Sequence, residues 1–336
     1  MTAPTTAAPA TRRPDPGRGL RASRRARLSD PMFRAFVAGC GLLVLVILAW
    51  MIIATTRDAL PVFEKEGILG FFLGTEWAPG NARDGTITGE YGALEFLAGT
   101  VYVSIMAMII AVPTAIGIAL YLTELAPRRI RKPLTYMVDL LAAVPSVVYG
   151  LVGAKVLAGV MLPVWNAIND NLAFLPFLGG TVRVNNLSLG ALVLAIMILP
   201  IISAVTREVF AQVPIDERHA AFGLGATRWE VMRHVVIHRS RAGIVGGSML
   251  GLGRALGETI AVLLVLGANS RLLFEPFNTS QTVAAQIAAA FKEASPEYIR
   301  ALVALGVALF VLTLIVNVLS RLVVSRFGNI TGDASI

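Results

Sequence analysis

The chain has 336 residues, 56% of them hydrophobic, with a mean hydropathy of +0.72 and a formal net charge of +8. That apolar content excludes a soluble globular protein and predicts an all-α, polytopic membrane protein. A single cysteine, Cys40, excludes an internal disulfide and argues against a metal cluster; the basic excess lies in short loops between apolar runs, which argues for membrane orientation and against nucleic-acid binding.

Residues 1–30, rich in Ala, Pro, Thr and Arg, lack apolar periodicity and predict a disordered cytoplasmic tail. Its arginines act as a topology signal and can also meet anionic membrane lipid. Ala35–Thr56 is a first span, too long for a signal-peptide core and without a small-residue cleavage site, so residues 31–92 comprise an anchor helix and an external loop. Phe96–Leu122 is a second span with Pro113 near its middle, followed by the basic turn Arg128-Arg129-Ile130-Arg131-Lys132. Leu134–Leu162 is a third, interrupted by Pro145; Leu187–Val205 is a fourth; Ala242–Ala268 is a fifth; Ala301–Val323 is a sixth, after an external loop holding a short Ala-rich helix. The five later spans form a core over 93–326, with a cytoplasmic loop at 207–241 and a C-terminal tail at 327–336. Twenty of the 29 Lys and Arg residues fall on one side and seven on the other, which places both termini in the cytoplasm. No internal repeat is evident, which weakens a secondary-transporter reading built on inverted halves.

Between the fourth and fifth spans lies a polar island, Val213 to Thr227. Pro214 suits the first turn of a helix, and Asp216 and Glu217 follow at its positive end. Ile215, His219 and Phe222 then share one face, and Gly223 and Gly225 permit a sharp turn. Either this is a solvated loop or it is a small helix offered to a soluble partner. His219-Ala220-Ala221, Gly225 and Val235-Val236-Ile237-His238 resemble the cytoplasmic loop of ABC-importer membrane subunits: Glu-Ala-Ala, three residues, Gly, nine residues, Ile-x-Leu-Pro. The Ala pair, the glycine and the spacing match, while His219 replaces the Glu and His238 the Pro. Glu217 is no substitute, since it lies roughly 200° round the helix from position 219.

Charges inside spans are costly, so they mark sites. Gly251-Leu252-Gly253-Arg254-Ala255-Leu256-Gly257-Glu258-Thr259 is the richest case. On a continuous helix Glu258 is one turn from Arg254 and able to pair with it. Gly243, Gly247, Gly251, Arg254 and Glu258 fall within about 80° of one another, opposite Val245, Ser248, Leu252, Leu256, Thr259 and Leu263, so the charges are expected to point into protein along a stripe suited to close helix packing. The pair is either a packing salt bridge or a cationic site in an anion path, where a guanidinium offers a planar fork to an oxyanion.

Leu252 to Thr259 also resembles the signature of the C-type (PstC-like) membrane subunits of phosphate-specific ABC importers. Leu122-Thr123-Glu124-Leu125-Ala126-Pro127, Leu141 to Gly150, Gly99-Thr100 and Gly223 to Glu230 fit the same family, so the resemblance covers about 75 to 325. It implies the type I (MetI-like) permease fold with six transmembrane helices in a bacterial cytoplasmic membrane. It further implies a heterodimer with an A-type permease subunit, two ATP-binding subunits inside and an extracytoplasmic phosphate-binding protein. Arg254 and Glu258, with Thr259 beside them, take the place of the family's intramembrane pair on the path of inorganic phosphate. His219, Ala220, Ala221, Gly225 and Arg228 take the place of its ATPase-coupling residues, and Gly243, Gly247 and Gly251 are expected to be helix contacts.

Other candidates carry less. Lys155 is expected to snorkel at the outer end of the third span, and Asp139 to pair with the basic turn. His234 and His238 are spaced i, i+4 but lack any further metal-ligand pattern, so neither metal nor cofactor is expected. Without a Gly-x4-Gly-Lys-Ser/Thr loop the chain is no ATPase of that kind, and hydrolysis falls to a partner. The rival readings are a permease for sulfate or molybdate and a gradient-driven anion transporter or channel.

Overall fold

The computed structural model describes residues 24–80, 82, 86–174, 181–267 and 276–328, with the backbone alone at 24–30 and 323–328. The arginine-rich segment before Arg24, Ala268 and the tail after Gly328 lie outside the described residues. The chain divides into two units, one ending at Ala54 and the other beginning at Thr55.

Helix α1 (Arg24–Glu66) contributes to both units and runs beyond the expected first span at each end. The added segments are rich in Arg, Ala, Leu, Glu and Lys, which keep a helix going once an apolar core has started it. In the second unit, α2 (Ile68–Leu73) leads into a small antiparallel hairpin, β1 (Trp77–Ala78) with β2 (Glu90–Tyr91), in the register Trp77–Tyr91 and Ala78–Glu90. The hairpin is fastened to the start of α13 (Pro296–Gly328) by the carboxylate of Glu297, which is fully buried. That group accepts from the backbone N–H of Ala82 (3.0 Å), Thr88 (2.6 Å) and Gly89 (2.7 Å), from the Thr88 hydroxyl (2.8 Å) and from the Tyr91 hydroxyl (3.2 Å). Burial pushes the Tyr91 hydroxyl up to about 12, so it keeps its proton and remains a donor. Trp77, Tyr91, Phe96 and Tyr298 close an aromatic cluster around it, with Trp77 edge-on to Tyr91 and Phe96 at centroid distances of 5.1 Å.

Helix α3 (Leu94–Leu120) is the second span and ends in a π turn, Tyr121–Leu125. Ala107, Ala111, Ala115 and Ala119 recur at i, i+4 and are all fully buried. This small-residue stripe lets α3 lie close against α7 (Leu187–Ala211), the fourth span and the most enclosed helix in the second unit. Asn186 starts α7 by accepting from the Leu189 N–H at 2.8 Å. The helix continues past the expected end at Val205 and carries Arg207 and Glu208, so the loop assigned to 207–241 begins inside a span.

The third span differs from expectation. Residues 128–143 form a separate amphipathic helix, α4 (Arg128–Ala143), with no buried side chain. Pro145 forces Val144 into an extended conformation (φ −68°, ψ 128°), and the span restarts as α5 (Ser146–Val152), a π segment (Gly153–Leu157) and α6 (Ala158–Asn171). After α7 come α8 (Ile215–Gly223), the single turn α9 (Arg228–Glu230) and a π segment (Val231–Ile237). The fifth span is broken into α10 (Arg241–Leu256) and α11 (Ile260–Leu266), bent by 60°. The short Ala-rich helix α12 (Val283–Ala290) precedes α13.

Among the described residues five helices are long and apolar enough to cross a membrane, and counting α10–α11 as one span makes up to six. The chain is thus an all-α, multi-pass membrane protein, with a core where α3, α7, α10 and α11 meet around Ile198, Ile202, Ala255 and Leu266.

Candidate functional site

Helix α8 follows Pro214, carries Asp216 and Glu217 in its first turn, and ends before Gly225, whose φ of +87° turns the chain sharply. None of its residues is buried. Ile215, His219, Ala220 and Phe222 are exposed, as are Leu224 and Trp229 just beyond, so a polar loop presents an apolar face to solvent. The adjoining turn is fixed by a capping box: Thr227 accepts from the Glu230 N–H at 3.3 Å, and Glu230 accepts from the Thr227 N–H at 2.7 Å. Hydrogen bonds from the Thr227 N–H and the Thr227 hydroxyl hold the Glu230 carboxyl below the usual carboxylate range.

Behind α8 lies a cavity of about 920 Å³, whose charged lining is Glu124, Arg131, Asp139, Arg207, Glu208 and Arg218. Two ion pairs cross its walls. Arg218 of α8 meets Glu124 of the π turn at 2.8 Å, and Arg207 of α7 bonds Asp139 of α4. Asp139 therefore pairs with the fourth span, in place of the expected basic turn. Arg131 of that turn instead donates to the Thr123 carbonyl at 2.8 Å. The Glu124–Arg218 pair was not evident from the sequence, although a carboxylate just past an apolar run is a usable signal.

In the fifth span the expected Arg254–Glu258 pair is absent among the described residues. Gly257 ends α10, and Glu258 turns to the next helix, where its Oε1 accepts from the Ala261 N–H at 3.2 Å. The carboxylate satisfies a donor that the new N-terminus would otherwise leave open. Arg254 is exposed on this chain, not turned into it. Glu258 and Thr259 are half-buried at the bend.

Three glycines of α10, Gly243, Gly247 and Gly251, face α7. A Cβ built on Gly243 would stand 2.5 Å from Val209, on Gly247 3.0 Å from Val205, and on Gly251 2.7 Å from Ile202, whereas Gly246 and Gly253 have open space. The buried face is centred on Gly247, Ser248, Gly251 and Ala255, with Leu256 also buried, so Ser248 and Leu256 do not belong to a far face as expected. Arg254 lies at the edge of the packed stripe. Lys155 is exposed in the π segment of the third span, and among the described residues no group of His, Cys, Asp and Glu is arranged to hold a metal.

Residues 111–329 match the family described as the binding-protein-dependent transport system inner membrane component. The chain belongs to that family. This inner membrane component is 38% identical to the phosphate transport system permease protein PstC of Xylella fastidiosa (strain 9a5c), over 94% of its own length and 96% of the relative's. It is 40% identical to the PstC of Mesorhizobium japonicum, over 92% and 94%. Among solved structures, a bacterial alginate ABC transporter in complex with a pentasaccharide-bound periplasmic protein aligns with a TM-score of 0.57 at 14% identity, covering 93% of this chain and 99% of that one. At that identity the likeness concerns the permease fold alone.

Proposed function

We propose that this chain is the C-type permease subunit of an ATP-driven importer of inorganic phosphate. The observation that carries this is 38–40% identity, over more than nine-tenths of the chain, to relatives named as phosphate transport permeases. In this reading both termini are cytoplasmic, by the charge distribution, and the chain pairs with an A-type permease subunit. Two ATP-binding subunits dock inside, and a phosphate-binding protein delivers the anion outside.

The exposed face of α8, with His219, Ala220 and Ala221 ahead of Gly225 and Arg228, is the dock for an ATPase subunit. Closure of the ATPases draws α8, the spans reorient, and the bend at Gly257–Thr259 changes the side to which Arg254 is open. An exposed guanidinium at a helix break is free to meet an oxyanion from a path shared with a second subunit, and its planar fork of donors suits that anion. Glu258 and Thr259 shape the bend that sets where it points.

Co-purification with the co-encoded subunits and measurement of ATP hydrolysis with phosphate-, sulfate- and molybdate-loaded binding proteins tests this. Stimulation by phosphate alone is the expected outcome; stimulation by sulfate or molybdate instead makes the chain a permease for that oxyanion. Uptake that follows an ion gradient with ATP intact overturns the ATP-driven reading. Arg254→Gln is expected to abolish uptake while the complex still assembles, and Arg254→Lys to recover only part, since a point charge lacks the fork. Unchanged uptake in Arg254→Gln removes the anion-path role.

A further inference from the structure

Because α8 buries no residue, a polar link and not a packed face fastens it to the spans. Arg218 is that link. Its Nη1 reaches the two Glu124 oxygens at 2.8 and 3.1 Å, and its Nη2 donates to the Phe210 carbonyl at 2.6 Å. One guanidinium thus joins α8, the π turn that ends the second span and the last turn of α7. Its planar fork suits the task, because donors leave it in fixed, divergent directions. The two side chains are only 15% and 16% exposed, so water and salt screen the pair weakly.

The same helix contains a natural contrast. Glu217 meets Arg239 at 3.7 Å with 42% and 46% exposure, tying α8 only to the segment that leads into α10. Such a pair is worth little. The contact of α8 with the π segment Val231–Ile237 is also local. A displacement of α8 therefore reaches the second and fourth spans through Arg218. The receiving end is a π turn, closed by the Ala126 N–H to the Tyr121 carbonyl at 2.7 Å, a geometry common where helices change register at functional sites. The adjacent cavity leaves these helix ends room to move.

We propose that Arg218, through Glu124 and the Phe210 carbonyl, is the positioning residue that transmits movement of the docking helix to the second and fourth spans. The proposal rests on the reading of α8 as the ATPase dock. Its test uses the full complex in proteoliposomes, with three readouts: phosphate imported per ATP hydrolysed, basal ATP hydrolysis, and a cross-link from Ala220→Cys to the ATPase subunit. Arg218→Gln and Glu124→Gln are expected to keep the cross-link and basal hydrolysis, while phosphate imported per ATP falls at least tenfold. Arg218→Lys is expected to fall between them and the unsubstituted chain, and Glu217→Gln to keep the full ratio. A full ratio in Arg218→Gln with the cross-link intact overturns the proposal, as does an equal loss in Glu217→Gln. If Arg218→Gln does not assemble, Arg218→Lys decides: a full ratio overturns transmission, and a reduced one with the cross-link intact supports it. Absence of the cross-link in the otherwise unsubstituted complex removes the docking reading itself, and the proposal with it.

Discussion

Two carboxylates hold down two loops of this permease-family chain, and they are built differently. Glu297 is fully buried and accepts five hydrogen bonds, three of them from backbone N–H groups of the hairpin segment. Gly80 makes room for it, since a Cβ there would come within 2.4 Å of both carboxylate oxygens. Glu124 makes one ion pair to a neighbouring helix, beside a cavity of about 920 Å³. The first arrangement leaves the chain no alternative position, because any shift strands several buried donors at once. The second can break and re-form as a unit, because what it holds has no buried face. On the proposed orientation, the outer loop is stapled and the inner loop is hung.

The staple is the place to break this contrast most severely. Glu297→Ala leaves the Ala82, Thr88 and Gly89 amides without their acceptor, and at about 1–3 kcal/mol for each stranded donor the loss is on the order of 3 kcal/mol or more. The expected outcome is a marked fall in the thermal midpoint in detergent, with cleavage by protease within residues 79–89. An unchanged midpoint with the segment still protected means that the hairpin is held by its aromatic cluster, and the contrast fails.

Between the two loops, α10 packs on α7 through its glycines, and the same question applies to that seam. Gly251→Leu pushes into Ile202 and Gly243→Leu into Val209, in a site where overpacking costs typically about 1–3 kcal/mol. Gly253→Ala has open space and improves helix propensity, so it is expected to be neutral or slightly stabilising. Loss of thermal stability in the first two groups the seam with the staple. Loss of uptake with the midpoint unchanged groups it with the moving end, and equal tolerance at all three positions shows that the glycines face no close neighbour.

How much of this was legible in the sequence depends on the distance over which each feature is decided. The second, fourth and sixth spans came from unbroken apolar runs, and their centres agree with α3, α7 and α13. Ends and breaks were less legible. Pro145 marks an interruption in the sequence, yet its effect is to detach α4 from the third span altogether. The fifth span reads as continuous because apolar residues flank Gly257-Glu258-Thr259 on both sides, and a wheel drawn through the break sets Glu258 on the face of Arg254 when it caps the next helix. Arg254 itself is exposed because the buried face of α10 is centred on Gly247, Ser248, Gly251 and Ala255, to one side of it. Glu124 and Arg218 lie 94 residues apart, and Thr88 and Glu297 lie 209 apart. In the second case most of the partners are backbone amides, which carry no sequence signature at all. The alanine stripe of α3 stands plainly at 107, 111, 115 and 119, but small residues in an apolar run carry no signal that separates a packing face from filler.

The smallest expected effect sharpens the comparison from the other side. Glu217 and Arg239 form an ion pair by distance, but at 3.7 Å with both side chains more than two-fifths exposed, the attraction is screened and is offset by ordering two long side chains. Glu217→Gln is expected to change stability by less than about 0.5 kcal/mol, with thermal midpoint, assembly and uptake all near those of the unsubstituted chain. Glu217 also sits in the first turn of α8, where a negative charge favours the helix by a few tenths of a kcal/mol, and raising the salt concentration removes this along with the pair. The informative measurement is therefore Glu217→Gln beside Glu124→Gln, each at low and high salt. If burial decides what an ion pair is worth, the small Glu217→Gln effect disappears in high salt while the Glu124→Gln effect persists. Equal salt sensitivity at the two positions would place Glu124 and Arg218 in water as well, and the inner loop would then be held by neither pair.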